Sequence, residues 1–367
     1  MHRPNSSLKK DIILRPFQAK AIRALKELYA HVICVSKTGS GKSLIYENHF
    51  NENPSNNHLL ITPLVALGRQ QKSTLSKLST HYIVNDLSEL QLTNELKKII
   101  FVVSPEKLKN PYFIKKLLTL NIHTIVIDEC HCLWEWGETF RPAYLEVFKL
   151  FEKIKFKNSL WLTATLPPHY RKQLKSSISG KIVEIGRFEF PSNIDLSFKH
   201  STHLNRMNEL IHFIHKQKNK SGIVFVQTRA MAEKIYNLFY NYSSVFYHAG
   251  ISKEEKKNIE NLISNNQIQV VVATSAFGMG MNFTQFNWVV LWQVPLSLLD
   301  LVQKVGRIGR NNTAGNALIL WHEDDFKLIK WLTKKLSQTQ KAELIQVVNL
   351  LNHKGDKIKY LEHYFLS

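Results

Sequence analysis

Short apolar, β-branched runs recur through the first half of the chain, each followed by Gly or Pro punctuation and then by a longer amphipathic stretch. These runs predict strands at His31–Val35, His58–Ile61, Ile99–Val103, Thr124–Ile127, Leu160–Leu162 and Ile182–Ile185. Runs that are apolar on both faces and separated by helical stretches imply a parallel sheet covered on both sides. Around residues 186–195 the pattern breaks, and Pro191, Ser192 and Asn193 mark a linker. A second series follows at Ile223–Val226, Val245–Tyr247, Val270–Ala273, Val289–Trp292 and Ala317–Leu320. Beyond Trp321 the pattern is helical, through Phe326–Leu336, Lys341–Leu351 and Lys357–Phe365. The prediction is an α/β protein of two parallel-sheet domains, 1–195 and 196–322, with a helical segment over 323–367.

Composition is consistent with that division. The chain has 367 residues, 44% of them hydrophobic, enough for two cores and too apolar for a disordered chain. The formal charge of +20 divides into +11 before residue 196 and +9 after it, so both halves would be drawn to a polyanion. Coding bias toward Lys and Asn is the competing explanation, and runs such as Lys153, Lys155 and Lys157 read equally well as solvated faces. Cys34, Cys130 and Cys132 make neither a disulfide framework nor a paired zinc motif. No stretch near the N-terminus resembles a signal peptide, and no run approaches the length of a membrane span. A soluble, cytoplasmic protein is expected, with no membrane partner.

Chemistry enters where the predicted strands end. His31–Val35 runs into Ser36-Lys37-Thr38-Gly39-Ser40-Gly41-Lys42-Ser43 and then a helical pattern. Glycines there let backbone N–H groups wrap phosphates at a helix N-terminus, Lys42 reaches the outer phosphates, and Ser43 can ligate Mg²⁺. Thr38, Gly39, Ser40 and Gly41 are the remaining cradle positions. A plain Gly-rich strand-to-helix turn is the alternative. At the end of Thr124–Ile127 stands Asp128-Glu129-Cys130-His131. An acidic pair at the carboxyl end of a buried strand is costly unless it meets a cation, and that edge of a parallel sheet is where ligands bind. Asp128 would hold Mg²⁺ through water, and Glu129 would orient and deprotonate the attacking water. In the second half, Gln303-Lys304-Val305-Gly306-Arg307-Ile308-Gly309-Arg310 sets Arg307 and Arg310 three residues apart between glycines. Guanidinium groups of this kind stabilise a γ-phosphate as charge develops.

These residues resemble a superfamily-two helicase, and within it the RecQ-like DNA helicases, in order from about Leu14 to Phe365. The resemblance implies two RecA-like domains with ATP between them. Leu14-Arg15-Pro16-Phe17-Gln18 is similar to the family's adenine-reading segment, with Arg15 on the base and Gln18 on its edge. Thr62-Pro63-Leu64 and Ser104-Pro105-Glu106-Lys107-Leu108 resemble strand-tracking segments, and Thr163-Ala164-Thr165 the segment that couples hydrolysis to domain motion. The stretch from His131 to Tyr144 resembles the aromatic-rich loop that senses single-stranded DNA. Trp136, Phe140 and Arg141 match its pattern, whereas Glu138 stands where His is usual. Aromatic faces beside a basic residue form a stacking platform for bases. Gln227-Thr228-Arg229, Tyr247-His248-Ala249-Gly250 and the run Val271 to Asn282 resemble the second domain's motifs, with Arg229 and Thr274 on the DNA backbone and Arg310 as arginine finger. Lys304 and Asn311 stand where the family has acidic residues.

The last helical stretch resembles the opening of the family's zinc-binding subdomain, but Asp356 occupies the first cysteine's position. No structural zinc is therefore predicted, and the winged-helix module is expected to be missing too. The cofactors implied are ATP and Mg²⁺. The partners implied are single-stranded or forked DNA, with other proteins supplying the accessory modules to a monomeric chain. Two alternatives remain open at this point. One is an RNA-dependent ATPase of the Asp-Glu-x-His type. The other is an ATP-switched DNA-binding module that leaves strand separation to partners.

Overall fold

The computed structural model describes residues 13–27, 30–37, 39–63, 65–76, 81–92, 98–135, 146–202, 204–218, 220–239, 242–277, 283–332 and 337–367. Two compact units emerge. The first comprises residues 1–36, 40–164 and 172–187, and the second comprises 37–39, 165–171 and 188–367.

The first unit is built on β1 (Ala30–Val35), β2 (Asn57–Ile61), β3 (His81–Val84), β4 (Lys98–Val103), β5 (Ile122–Ile127), β6 (Asn158–Thr163) and β7 (Lys181–Gly186). They form one sheet in the order β3-β4-β2-β5-β6-β1-β7, every pairing parallel. All six residues of β1 are buried, as expected of a strand covered on both faces. Helix α1 (Pro16–Ala24) and helix α2 (Ser43–Glu52) cover one face, packing Ala21, Ile22, Ile45, Tyr46 and Phe50 on Val32, Leu60, Val126 and Leu160. Each such fully buried aliphatic side chain contributes about 1.5–3 kcal/mol.

The second unit holds β8 (Ile194–His200), β9 (Gly222–Phe225), β10 (Ser244–Tyr247), β11 (Val270–Ala273), β12 (Trp288–Leu291) and β13 (Gly315–Trp321). Their order is β10-β11-β9-β12-β13-β8, again all parallel. Trp288, fully buried, lies across the start of β9, where any Cβ on Gly222 would meet its ring at 1.9 Å.

Eleven strands appear where the hydrophobic pattern placed them, and two do not. β3 is only four residues long, and β8 alternates apolar and polar residues and exposes most of them. The last passage between the units in chain order falls at residues 187–188, and β8 begins at Ile194, within the stretch read as linker.

The helical segment belongs to the second unit as helices Glu323–Leu332, Gln338–Asn352 and Lys357–Leu366. Asp325 anchors the first of these through a buried bidentate pair with Arg206, at 2.9 and 3.0 Å, and also accepts the backbone N–H groups of His322 and Val294. Asp356, at the position of the family's first cysteine, caps the last helix by accepting from Ile358 and Lys359 N–H. Among the described residues no helix is long and apolar enough to cross a membrane.

Candidate active site

Strand β1 leads into the candidate phosphate-binding loop. Its first residue is pinned by Ser36 N–H donating to Thr163 O at 3.0 Å, and the chain then turns through Gly39 and Gly41, both at positive φ near +75° and +80°. Only glycine adopts these angles without strain. Lys42, almost fully buried, donates from Nζ to Ser36 O at 2.8 Å, and Ser36 Oγ donates to Ser40 Oγ at 2.9 Å. The loop is thus closed on itself, with Ser43 opening α2. Gln18 is also buried: Nε2 donates to Gly41 O at 2.7 Å and Oε1 accepts Arg15 N–H at 2.7 Å. Its amide is engaged by the loop backbone, where the resemblance assigned it to adenine, while Arg15 is exposed. Thr38 lies outside the described residues.

Strand β5 delivers the acidic pair, two strands away from β1 across β6. Asp128 N–H donates to Ile61 O and Cys130 N–H to Leu162 O, extending the sheet's bonding past β5. Asp128 Oδ2 accepts from Gln71 Nε2 at 2.7 Å and Oδ1 from Glu129 N–H at 3.0 Å. Burial pushes the Asp128 carboxyl up to about 7, the Glu129 charge adds to this, and Lys42 opposes it. Two carboxyl groups packed this closely at the end of a buried strand are costly unless a cation meets them. Glu129 itself adopts a left-handed φ of 48°. Its Oε2 is buried without a hydrogen bond, 3.4 Å from His131 Nδ1, which instead bonds Thr163 Oγ1 at 2.9 Å. A left-handed φ on a non-glycine residue and a buried carboxylate oxygen without a hydrogen bond are features that cluster at functional sites. Gln71, from the helix Val65–Leu75 that follows Thr62 and Pro63, gave no sequence signal. Both Thr62 and Pro63 are buried at the end of β2, and Thr62 Oγ1 has no hydrogen-bond partner.

The second unit repeats the arrangement at the carboxyl edge of its own sheet. After β9, Thr228 caps the helix Arg229–Tyr236 by accepting Met231 N–H, leaving Arg229 exposed. After β10, His248 accepts Gly250 N–H at Nδ1, so Nε2 carries the proton it donates to Glu233 at 3.0 Å. Thr274 follows β11, its N–H on Tyr247 O. The helix Leu298–Val305 ends in the turn that carries Arg307 and Arg310. Gly309 there has a φ of +67°, and Asn193 Nδ2 braces the turn by donating to Gly309 O at 2.7 Å and Thr313 O at 2.5 Å. Asn193, read from sequence as linker punctuation, braces the backbone on either side of Arg310. Lys304, in the family's acidic position, is buried and paired with Asp300 at 2.7 Å. Trp136, Phe140 and Arg141 lie outside the described residues.

Residues 15–174 match the family "DEAD/DEAH box helicase", and residues 204–312 match "Helicase conserved C-terminal domain". The chain is 27% identical over 344 residues to ATP-dependent DNA helicase RecQ of Bacillus subtilis, covering 90% of this chain and 57% of that protein. It is 28% identical over 332 residues to its namesake in Pasteurella multocida, covering 86% and 51%. It therefore spans about half the length of these relatives. Among solved structures, Mss116p bound to ssRNA and AMP-PNP shares the fold with a TM-score of 0.67 at 20% identity, over 91% of this chain and 77% of that one.

Proposed function

We propose, from the premise that this chain belongs to the DEAD/DEAH box helicases and is a RecQ-like helicase core, that it is an ATP-driven 3′-to-5′ motor on single-stranded DNA. The observation that carries this reading is the delivery of Lys42 by β1, and of Asp128 and Glu129 by β5, to the carboxyl edge of one parallel sheet.

In this reading the backbone of Thr38, Gly39, Ser40 and Gly41 wraps the phosphates of ATP, and Lys42 reaches the outer two. Arg15 packs on the adenine, and Gln18 links that segment to the loop. Ser43 and Asp128 would hold Mg²⁺, which when bound offsets the charge of the phosphate oxygens. Glu129 Oε2 accepts a proton from the attacking water as the new P–O bond forms and the bond to ADP breaks. Arg307 and Arg310 face the γ-phosphate when the units close, so that hydrolysis depends on closure. DNA phosphates lie against Thr62, Pro63, Arg229 and Thr274, and bases stack on Trp136 and Phe140 beside Arg141.

A duplex carrying a single-stranded tail tests this directly. Unwinding, or displacement of a bound roadblock protein, is expected with a 3′ DNA tail and not with a 5′ DNA tail or an RNA tail of either polarity. Movement only on RNA would replace DNA with RNA as the track, and ATP turnover without movement would make the chain an ATP-switched binding module.

A further inference from the structure

The amino-terminal edge of the first sheet, at the far end of the strands from Lys42 and Asp128, gathers histidines. His58 is the second residue of β2, His81 the first of β3 and His123 the second of β5, while His49 lies in the last turn of α2. His49, His58 and His123 each offer a ring nitrogen within 4.8 Å of the other two.

Hydrogen bonding decides which nitrogens are available. His58 Nε2 faces Asn53 O at 3.4 Å, and a carbonyl only accepts, so Nε2 carries the proton and Nδ1 the lone pair. His49 Nε2 and His123 Nδ1 both lie on the hydroxyl of Thr124, at 2.8 and 2.9 Å. With both rings donating, the two lone pairs of that hydroxyl are filled, and His49 Nδ1 and His123 Nε2 keep theirs. Nδ1 of His49 and Nδ1 of His58 are buried and make no hydrogen bond, an arrangement that native interiors avoid. The rings are held in their neutral form. Burial pushes His49 down to about 4 and His58 well below its ordinary range, and lowers His123 as well. Neutral imidazole is the form that ligates a metal. Phe50 stacks on His58 with centroids 4.4 Å apart, fixing that ring. An open cavity of about 490 Å³, walled by Glu52, Asn53, His123 and Lys157, leads from solvent to this edge.

We propose that His49, His58 and His123 form a binding site for a divalent transition metal of borderline softness, Zn²⁺ being the natural occupant. Zinc–imidazole bonds of about 2.0–2.1 Å put ligand nitrogens roughly 3.4 Å apart in tetrahedral geometry, so the rings draw together on binding. Thr124 is the outer partner that orients two of the three rings, the role carboxylates and carbonyls commonly take around zinc. Of the three rings, His123 lines the cavity. The metal ties the end of α2, whose first residue follows Lys42, to β2 and β5. The expectation of no structural zinc rested on cysteines missing from the helical tail, and the proposed imidazole site departs from that expectation.

The test uses the full chain, stripped with chelator and titrated with Co²⁺ and then Zn²⁺. One Co²⁺ per chain is expected, with a visible ligand-field absorption that Zn²⁺ abolishes, and Zn²⁺ should raise the midpoint of thermal unfolding. His123→Ala, at the most exposed ligand, should remove the absorption and the thermal shift, and Thr124→Val should weaken Zn²⁺ about tenfold. His58→Phe, which keeps the stack on Phe50, provides a second ligand variant, with circular dichroism to show that each variant folds. The double variant His200→Gln, His322→Gln removes the other cluster of potential ligands, His200, His322 and Glu323, and should change nothing. No stoichiometric binding by the wild-type chain, or binding that survives His123→Ala and His58→Phe but is lost in the double variant, would overturn the site.

Discussion

The two edges of the first sheet bury titratable groups for opposite purposes. At the carboxyl edge the chain crowds Asp128 and Glu129 near Lys42, and burial raises Asp128 to about 7. At the amino edge it packs His49, His58 and His123, and burial lowers all three. One edge is short of a cation and gathers phosphate-binding backbone. The other holds neutral imidazoles with unused lone pairs. The same strands carry both, so a parallel sheet presents two chemically distinct rims. The difference follows from which residue types sit one position beyond, or one position inside, each strand end.

The largest effects should separate the edges by chemistry. Glu129→Gln should lower ATP turnover about 100- to 10 000-fold while nucleotide binding, read by a fluorescent analogue, persists. Lys42→Ala should lower turnover about 100- to 1000-fold. His58→Phe at the opposite rim should leave turnover of the folded protein unchanged. Equal loss in all three would mean that the rims do not act separately.

Stability against pH sharpens the same contrast, measured by denaturant unfolding in metal-free buffer. Histidine in the unfolded chain titrates near 6.5, and His49 in the fold titrates near 4. The unfolded state therefore binds more protons between those values. Stability present above pH 6.5 is lost as pH falls toward 4, by about 3 kcal/mol from His49. Asp128 has the opposite sign. Its folded carboxyl holds a proton that the unfolded chain releases near pH 4, so its contribution is complete below that value and is lost as pH rises through about 7. The two terms oppose each other over the same interval, so Asp128→Asn should steepen the rise of stability between about pH 4 and 6.5. A slope that the substitution left unchanged or made shallower would merge the two rims into one titrating system.

The smallest effect concerns Gln71, which donates to Asp128 from the helix that follows Thr62 and Pro63. Gln71→Leu should raise the Mg²⁺ concentration needed for half-maximal hydrolysis by about tenfold, as loss of an outer-shell partner does, and leave turnover at saturating Mg²⁺ nearly intact. Loss of turnover that Mg²⁺ does not restore would instead make Gln71 a structural support.

Most of the carboxyl rim was legible because phosphate chemistry constrains residue type and spacing together. Glycines at positive φ, a lysine and a hydroxyl must follow one strand, and acids must follow another. Gln71 and Asn193 were not legible, since an amide side chain that bonds a distant carboxylate or carbonyl leaves no periodic or local trace. The amino rim was hidden for a related reason. His49, His58 and His123 are spread over 75 positions with no ligand spacing, and only sheet order brings them together. β3 and β8 escaped although the other two edge strands, β7 and β10, were legible. Their short or alternating runs carry less signal than the buried strands between them.

The central claim is that the carboxyl rim is an ATPase answering to single-stranded DNA. The most direct test is steady-state ATP hydrolysis with and without single-stranded DNA at two salt concentrations, for the wild-type chain and for Trp136→Ala. The account predicts turnover that rises with DNA, a half-saturating DNA concentration that climbs with salt as phosphate contacts require, and loss of stimulation in Trp136→Ala with basal turnover retained. Hydrolysis indifferent to DNA at both salts, or basal and stimulated rates falling together in Trp136→Ala, would contradict it.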